Sequence, residues 1–115
     1  TKIRYREFLA GELYLLTLVF TKDRLTKIMF EGGYTKWESE FEKLSKILSR
    51  EYKAAPKMVE DFKDGVLKQA NWESPGLYYD TLIKLQITGR KELFDISQVT
   101  GIRIVYSPKP RIKPE

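Results

Sequence analysis

The sequence contains no cysteine and no histidine. Without cysteine the chain has neither a disulfide nor a thiolate metal site, and without histidine it lacks the usual zinc ligands. Catalytic triads and acid–base pairs that depend on an imidazole are excluded for the same reason. Chemistry would have to come from Asp, Glu, Lys, Tyr, Ser or Thr side chains, so we expect no cofactor, no metal and no enzyme activity.

Long apolar runs are also missing. No stretch of about 18 consecutive apolar residues is present, so no transmembrane segment is predicted, and no signal peptide is recognisable. The 115 residues suit one domain, and a hydrophobic fraction of 42% with a charged fraction of 32% is ordinary for a globular protein. The net charge of +5 allows a nucleic-acid or anionic-membrane partner but does not require one.

The first part of the chain is typical of a β-hairpin. Residues 3–20 ("IRYREFLAGELYLLTLVF") predict extended chain broken near Gly11, and residues 25–33 predict a second strand after the polar turn at 21–24. Both alternating sets in 13–20 are apolar, so this strand is either covered on both sides or uses one side for binding. One set is Leu13, Leu15, Thr17 and Val19, and the other is Tyr14, Leu16, Leu18 and Phe20.

An amphipathic helix is predicted from Thr35 to about Tyr52. Thr35 followed by Glu38 has the spacing of a capping box, and Pro56 prevents the helix from continuing. Glu40 and Lys43 fall on the charged side, where substitution is expected to cost little stability. The apolar residues recur at helical spacing, at Trp37, Phe41, Leu44, Ile47, Leu48 and Tyr52.

Three further strands are predicted in the second half of the chain. They are residues 66–73 ("VLKQANWE"), 78–89 ("YYDTLIKLQITG") and 101–107 ("GIRIVYS"), and residues 90–100 predict a loop or a single helical turn. The alternation in the second of these strands indicates one apolar and one mostly polar side. In the last strand the set Ile102, Ile104 and Tyr106 lies opposite the set Arg103, Val105 and Ser107.

The order of these elements favours an α+β fold, with a single antiparallel β-sheet and one long amphipathic helix packed across one face. Residues 1–107 are expected to form one domain. Residues 108–115 ("PKPRIKPE") are expected to form a proline-rich basic tail.

The pattern resembles small α+β domains of the bacterial envelope, including lipoproteins and the β-lactamase-inhibitor-protein type. The similar parts are a hairpin ("GELYLLTLVFTKDRLTKIMFEG"), a helix ("FEKLSKILSREY"), a strand with tryptophan ("ANWES") and two closing strands ("TLIKLQI", "GIRIVYS"), within residues 11–107. The chain departs from the pattern after the helix, where Lys53-Ala54-Ala55-Pro56 replaces the usual glycine and proline. The resemblance implies binding or assembly, in the envelope or outside the cell, and assigns no functional residue. Without it, a cytoplasmic location stays open.

Three hypotheses about function follow from the residues. A D-x-K string at Asp61 and Lys63, beside Glu60, is typical of some Mg²⁺-dependent nucleases, but it needs further carboxylates, and a solvated loop is the simpler interpretation. Strand aromatics beside lysine and arginine would suit a nucleic-acid-binding β-sheet platform. The aromatics are Tyr14, Phe20, Tyr78, Tyr79 and Tyr106, and the cations are Lys27, Lys84, Arg90 and Arg103.

The third hypothesis is preferred. Because one helix covers only one side of a sheet, the second apolar side of the hairpin strand is expected to face solvent, a protein partner or a second copy of the chain, and large exposed apolar patches usually mark interfaces. The alternative is that residues 1–10 or 89–100 fold over that side. The sequence therefore predicts a non-catalytic binding or assembly domain, with nucleic-acid binding as the alternative. The candidate interaction residues are Leu16, Leu18, Phe20, Tyr78 and Tyr106.

Overall fold

The computed structural model describes residues 1–9, 11–32, 37–59, 65–77, 79–91 and 97–109. These residues form one antiparallel sheet of seven strands and one α-helix, and most of them belong to the sheet. The strands are β1 (Lys2–Leu9), β2 (Glu12–Thr21), β3 (Arg24–Gly32), β4 (Lys57–Val59), β5 (Val66–Ser74), β6 (Asp80–Lys91) and β7 (Ser97–Lys109), and the helix between β3 and β4 is α1 (Trp37–Glu51).

The strands lie side by side in the order β1-β2-β3-β7-β6-β5-β4. Strands β1–β3 precede the helix in the sequence, and β4–β7 follow it. Strand β7 joins the two groups by pairing with both β3 and β6. This arrangement leaves β1 and β4 as the two edge strands. The β1 edge is eight residues long, whereas β4 has three residues.

Backbone conformation explains the tight turns that hold β1, β2 and β3 together. Lys22 and Asp23 both have positive φ angles, 52° and 61°, as a two-residue type I′ hairpin turn requires. Gly11 lies between β1 and β2 with a φ of 84°, a backbone conformation that residues other than glycine rarely adopt. The three strands are thus one continuous meander.

The core lies between α1 and the strands that follow it. Phe41, Leu44 and Leu48 lie along one stripe of α1 and are buried. Helix α1 contacts β5, β6 and β7. Lys53, just after the helix, has a φ of 52°, a left-handed conformation that is common where helices end. The buried strand residues of this cluster are Ala70, Trp72, Ile83, Leu85, Ile87, Ile102 and Ile104, together with Tyr14 of β2.

The strand register divides the sheet into two sides. Residues that pair directly across antiparallel strands share a side. The row Leu16–Phe30–Ile104–Leu85–Ala70 belongs to the side on which α1 lies, which we call the helix side. The row Thr17–Met29–Val105–Lys84–Asn71 belongs to the other, which we call the open side because α1, the one helix in the described part of the chain, is not there.

The predicted strands and the α+β combination are confirmed in outline, with four differences. The helix is a single one of 15 residues that contacts β5, β6 and β7 and leaves much of the sheet free. Strand β4 was not predicted. Residues expected to form a loop extend β6 to Lys91 and begin β7 at Ser97. Strand β7 continues to Lys109, two residues into the expected tail, while residues 110–115 and the Thr35 cap lie outside the described residues.

Candidate functional site

The predicted interaction residues of β2 do not form one exposed row. Leu16 was expected to face a partner, but its exposed fraction is 6% because it lies between Tyr5 and Phe30 on the helix side. Leu18 and Phe20, farther along the same side, are half-buried. The expectation for Leu16 is therefore wrong, and the open-side residues Leu13 and Leu15 are the exposed leucines of this strand.

Tyr106 is also directed inward. Its ring meets that of Phe30 edge-on at 6.3 Å between centroids, and its hydroxyl donates a hydrogen bond to Tyr52, just after α1. Burial, then Tyr52 and the charge of Glu51, raise the pKa of Tyr106 above its usual value. Tyr106 thus joins the end of the helix to the sheet and is not an exposed platform residue. Tyr78, the fifth predicted residue, lies outside the described residues.

The Tyr106 hydroxyl should make stability depend on alkaline pH. In the unfolded chain this phenol loses its proton near pH 10.0, whereas in the folded protein it keeps it to higher pH. Its contribution is therefore fully present below about pH 10 and is lost as pH rises above that value. Urea denaturation between about pH 9 and pH 11 should show a shallower loss of unfolding free energy for Tyr106→Phe than for the parent. Parallel losses in the two proteins would contradict this assignment.

Exposed apolar side chains gather on the helix side of β1, β2 and β3. Ile3, Tyr5 and Leu25 have exposed fractions of 47%, 43% and 45%. Ile3 pairs with Leu18, which in turn pairs with Ile28, and Phe20 pairs with Leu25, so the residues are contiguous. We call this surface the apolar patch, and it consists of Ile3, Tyr5, Leu18, Phe20, Leu25 and Ile28.

Positively charged side chains lie on the open side of β1, whose helix-side residues Ile3 and Tyr5 belong to the apolar patch. Lys2, Arg4 and Arg6 are exposed and pair with Val19, Thr17 and Leu15 of β2. Thr17 is on the open side, and Leu15 and Val19 share that side because side chains alternate along a strand. Their partners on β1 are therefore on the open side too. We call Lys2, Arg4 and Arg6 the cationic stripe. The β1 end of the sheet therefore has the apolar patch on its helix side. On its open side it has the cationic stripe beside the exposed Phe8, Leu13 and Leu15.

Sequence reasoning passed over most of this end of the sheet. The missed residues are in β1, whose alternation of cations with Ile3 and Tyr5 is visible in "KIRYREFL" and was the available signal. Alternation assigns residues to two sides but does not say which side is covered. That depends on which distant strands pair with β2 and on where α1 lies.

The aromatics and cations of the predicted nucleic-acid platform lie on different sides. Tyr14 and Tyr106 are on the helix side, whereas Lys84 and Arg103 are on the open side. Lys27 is also on the open side, through its pairing with Val19. Tyr79 is exposed just before β6, and the side chain of Arg90 is outside the described part of the structure. Bases stacked on these described strand aromatics would therefore be remote from these cations.

The open side contains a chain of side-chain hydrogen bonds across three strands. Arg103 Nε donates to Gln86 Oε1 at 2.7 Å, Gln86 Nε2 donates to Gln69 Oε1 at 2.8 Å, and Gln69 Nε2 donates to Asn71 Oδ1 at 2.8 Å. These three bonds connect the four side chains in one chain and fix their orientation. This part of the open side is thus an ordered polar surface, distinct from the cationic stripe of β1.

A groove of about 730 Å³ lies at the far end of the sheet, beside β4. Trp72 forms part of its wall and donates from Nε1 to the carbonyl of Ala54 at 3.2 Å. Among the described residues three charged ones line the groove, of which Lys109 and Glu73 form an ion pair with each other and Lys57 is the third. That pairing offsets two of the three charges, so Lys57 leaves the lining with one net positive charge.

No carboxylate cluster that would support metal chemistry is found among the described residues, where no group of three or more acidic side chains is placed to hold an ion. Asp80 begins β6 and accepts a hydrogen bond from the backbone nitrogen of Gly76 at 3.4 Å. Glu60, Asp61 and Lys63 lie outside the described residues, so the nuclease hypothesis stays untested by this geometry.

Comparisons with protein-family models, curated proteins and solved structures find no match to this chain. Helix α1 is too short and too polar to cross a lipid bilayer, and it is the one helix in the described ranges. Function is therefore inferred from the geometry of the β1 end.

Proposed function

We propose that this protein is a non-catalytic binding or assembly domain that docks on another protein through the β1 end of its sheet. The apolar patch carries the proposal. Large exposed apolar side chains scattered singly are common, but contiguous ones usually mark an interaction surface. Here three of them, Ile3, Tyr5 and Leu25, adjoin the half-buried Leu18 and Phe20, two residues for which the sequence predicted this role.

The position of α1 fits this role. We infer that the helix packs across the helix side of β5, β6 and β7, where Phe41, Leu44 and Leu48 join the core. One helix of 15 residues spans roughly 22 Å at 1.5 Å per residue, which is too little to cover seven strands spaced about 4.8 Å apart. The uncovered remainder includes the part of β1–β3 that lies beyond Tyr14, whose hydroxyl contacts Glu40 of α1, so the core provides a rigid support for the docking surface.

The charge next to the patch specifies the partner further. Lys2, Arg4 and Arg6 would face any protein that contacts the edge of the sheet. Charges at an interface act through complementarity, by steering the encounter and by excluding wrong partners. The partner we propose is therefore a protein with an apolar contact surface bordered by acidic residues. The resemblance to bacterial envelope domains supports the same kind of role and an envelope or extracellular location.

Affinity capture with point variants tests the proposal. The protein would be immobilised and exposed to an extract of its source cells, as the parent and as the double variant Ile3→Glu/Leu25→Glu. The matched control is Ile47→Glu, which changes an exposed isoleucine of α1 (40% exposed) outside the patch. We expect a protein that binds the parent and the control but not the double variant. When the captured protein is purified and titrated against each variant, it should bind the parent and Ile47→Glu with similar affinity and Ile3→Glu/Leu25→Glu much more weakly.

Two outcomes would contradict the proposal. One is a captured protein that binds the double variant as well as it binds the parent. The other is that the parent itself forms a dimer in sedimentation measurements and the double variant does not, which would assign the patch to a second copy of this chain.

Nucleic acid is the second candidate partner, and the open side supports it. Its cations include Lys2, Arg4, Arg6, Lys27, Lys84 and Arg103. Because Tyr14, Phe20 and Tyr106 are on the helix side, such binding would use phosphates and depend strongly on salt. Repeating the capture after nuclease digestion separates the candidates. Loss of the captured material after digestion would favour nucleic acid, whereas capture that resists digestion favours a protein.

A further inference from the structure

We propose that the free edge of β1 binds an extended, acidic segment of the partner protein as an additional strand of the sheet. The inference rests on the proposed function, because it specifies how a protein partner would engage this same end of the molecule. Three features carry it: the direction of the β1 backbone groups, the alternation of the β1 side chains, and the charge that excludes a second copy of the chain.

Two hydrogen bonds fix the phase of the ladder between β1 and β2. Phe20 N donates to Thr1 O at 2.8 Å, and Thr1 N donates to Phe20 O at 3.2 Å. In an antiparallel ladder, pairs that exchange both bonds alternate with pairs that exchange none. The pair after Thr1 and Phe20 is Lys2 with Val19, so Lys2 and Val19 exchange no backbone hydrogen bonds with each other.

It follows that alternate residues of β1 have their backbone groups directed away from β2. Ile3 and Tyr5 bond to β2, while Lys2, Arg4 and Arg6 direct their N–H and C=O groups to the edge. Strand β1 is terminal in the sheet and pairs only with β2 among the described residues. Such a row of unpaired donors and acceptors is a template for another extended chain.

The side chains of β1 specify what that chain would contain. Three of the four residues with outward backbone groups form the cationic stripe on the open side, and the fourth is the exposed Phe8. Residues of an added strand that pair with Arg4 and Arg6 would share that side, where carboxylates complement the guanidinium groups. The residues between them would lie beside Ile3 and Tyr5 and extend the apolar patch. The matching segment therefore alternates acidic and apolar residues.

The same charges disfavour pairing of β1 with a second copy of itself. In a symmetric antiparallel pair centred on Tyr5, Arg4 of each copy would lie opposite Arg6 of the other. Centred on Arg4, the pair would place Arg4 opposite Arg4 and Lys2 opposite Arg6. Like charges directly opposite each other on neighbouring strands destabilise the pairing. The cations therefore act against self-association and in favour of an acidic strand.

A synthetic peptide tests this inference. The probe is a peptide of about nine residues with blocked ends and alternating Glu and Val, long enough to match the edge. Its counterpart has Lys in place of Glu. Calorimetric titration at low salt should detect binding of the Glu–Val peptide and none of the Lys–Val peptide. Absence of binding by the Glu–Val peptide, or equal binding of both, would overturn the inference.

Substitutions at Arg4 separate backbone pairing from simple charge attraction. Arg4→Pro removes an outward N–H without removing a bond to β2, and proline is tolerated at a sheet edge. Arg4→Gln keeps the N–H and removes the charge, and Lys27→Gln removes an open-side charge of β3. We expect Arg4→Pro to weaken binding by at least about tenfold relative to Arg4→Gln, and Lys27→Gln to have little effect. Equal affinities of Arg4→Pro and Arg4→Gln, with unchanged circular dichroism, would overturn the strand-addition inference.

Failure of the strand-addition inference is distinguishable from failure of the proposed function. If the Glu–Val peptide does not bind but Ile3→Glu/Leu25→Glu still abolishes capture of a protein, the docking surface stands and the partner does not add a strand. If capture is unaffected by that double variant, the proposed function fails whatever the peptide does.

Discussion

Replacing Leu44 by alanine should lower the free energy of unfolding by about 2–5 kcal/mol. The Leu44 side chain has an exposed fraction of 1%, and it lies in the core cluster with Phe41, Leu48 and the strand isoleucines. Truncation removes the transfer free energy of three carbons and leaves a cavity that the sheet beneath cannot close. A loss of this size is a large part of the roughly 5–15 kcal/mol typical of a whole domain.

Ile47 provides the matched control, since it is a similarly large aliphatic residue on the same helix with an exposed fraction of 40%. Ile47→Ala should cost less than about 1 kcal/mol. Urea denaturation of the two variants, monitored by circular dichroism, gives the comparison. Equal effects, or a Leu44→Ala variant that is as stable as the parent and loses a binding partner, would make the buried stripe of α1 an interface and contradict the fold described here.

Glu40→Ala should lower the free energy of unfolding by about 2 kcal/mol. Its carboxylate accepts a hydrogen bond of 2.7 Å from the Tyr14 hydroxyl, and the residue is only 8% exposed. Glu40 also forms an ion pair of 3.0 Å with Lys43. Removing a charged partner from a buried hydrogen bond costs about 1–3 kcal/mol, whereas the half-exposed ion pair adds little. The bond joins a side chain of α1 to a side chain of β2.

The control is Glu42→Ala, because Glu42 is an exposed acid on the same helix. Its substitution should change stability by less than about 0.5 kcal/mol. A double-mutant cycle with Tyr14→Phe isolates the bond, and we expect a coupling energy of about 1–2 kcal/mol. If Glu40→Ala and Glu42→Ala have the same small effect, the Tyr14–Glu40 bond does not contribute to the attachment of α1.

The case of Glu40 also shows where sequence reasoning was insufficient. Helical spacing assigned it to the charged side, where substitution was expected to cost little. It borders the apolar stripe, and Tyr14, which is 26 residues away in the sequence, reaches it from β2. No local pattern contains that contact, because it depends on the side of the sheet that α1 occupies.

The strands with clear alternation were predictable from sequence. Ile83, Leu85 and Ile87 were assigned to one side of β6, and all three are buried in the core. Strand β4 was missed because its three residues are too few to show a period. The outer parts of β6 and β7 were interpreted as a loop because residues 90–100 ("RKELFDISQVT") have no regular apolar alternation. The pairing of β6 with β7, not the side-chain pattern, makes their described ends strands.

The candidate site was partly predictable. Leu18 and Phe20, two of the predicted interaction residues, lie in the apolar patch, whereas Leu16 is covered by its neighbours on both sides. Tyr106 shared its predicted side with Ile102 and Ile104, so its inward orientation followed from the alternation itself. Which side of β2 is buried was not predictable, because both sides are apolar and the strand order that decides it involves β7, about 80 residues away.

Amide hydrogen exchange of β1, measured by NMR with and without the Glu–Val peptide, tests the central claim most directly. In the free protein the amides of Arg4 and Arg6 should exchange faster than those of Ile3 and Tyr5, which bond to β2. With the peptide bound, Arg4 and Arg6 should become protected to a similar degree. Exchange at Arg4 and Arg6 that stays fast at saturating peptide, or new protection confined to residues outside β1–β3, would contradict the assignment of the β1 end as the binding surface.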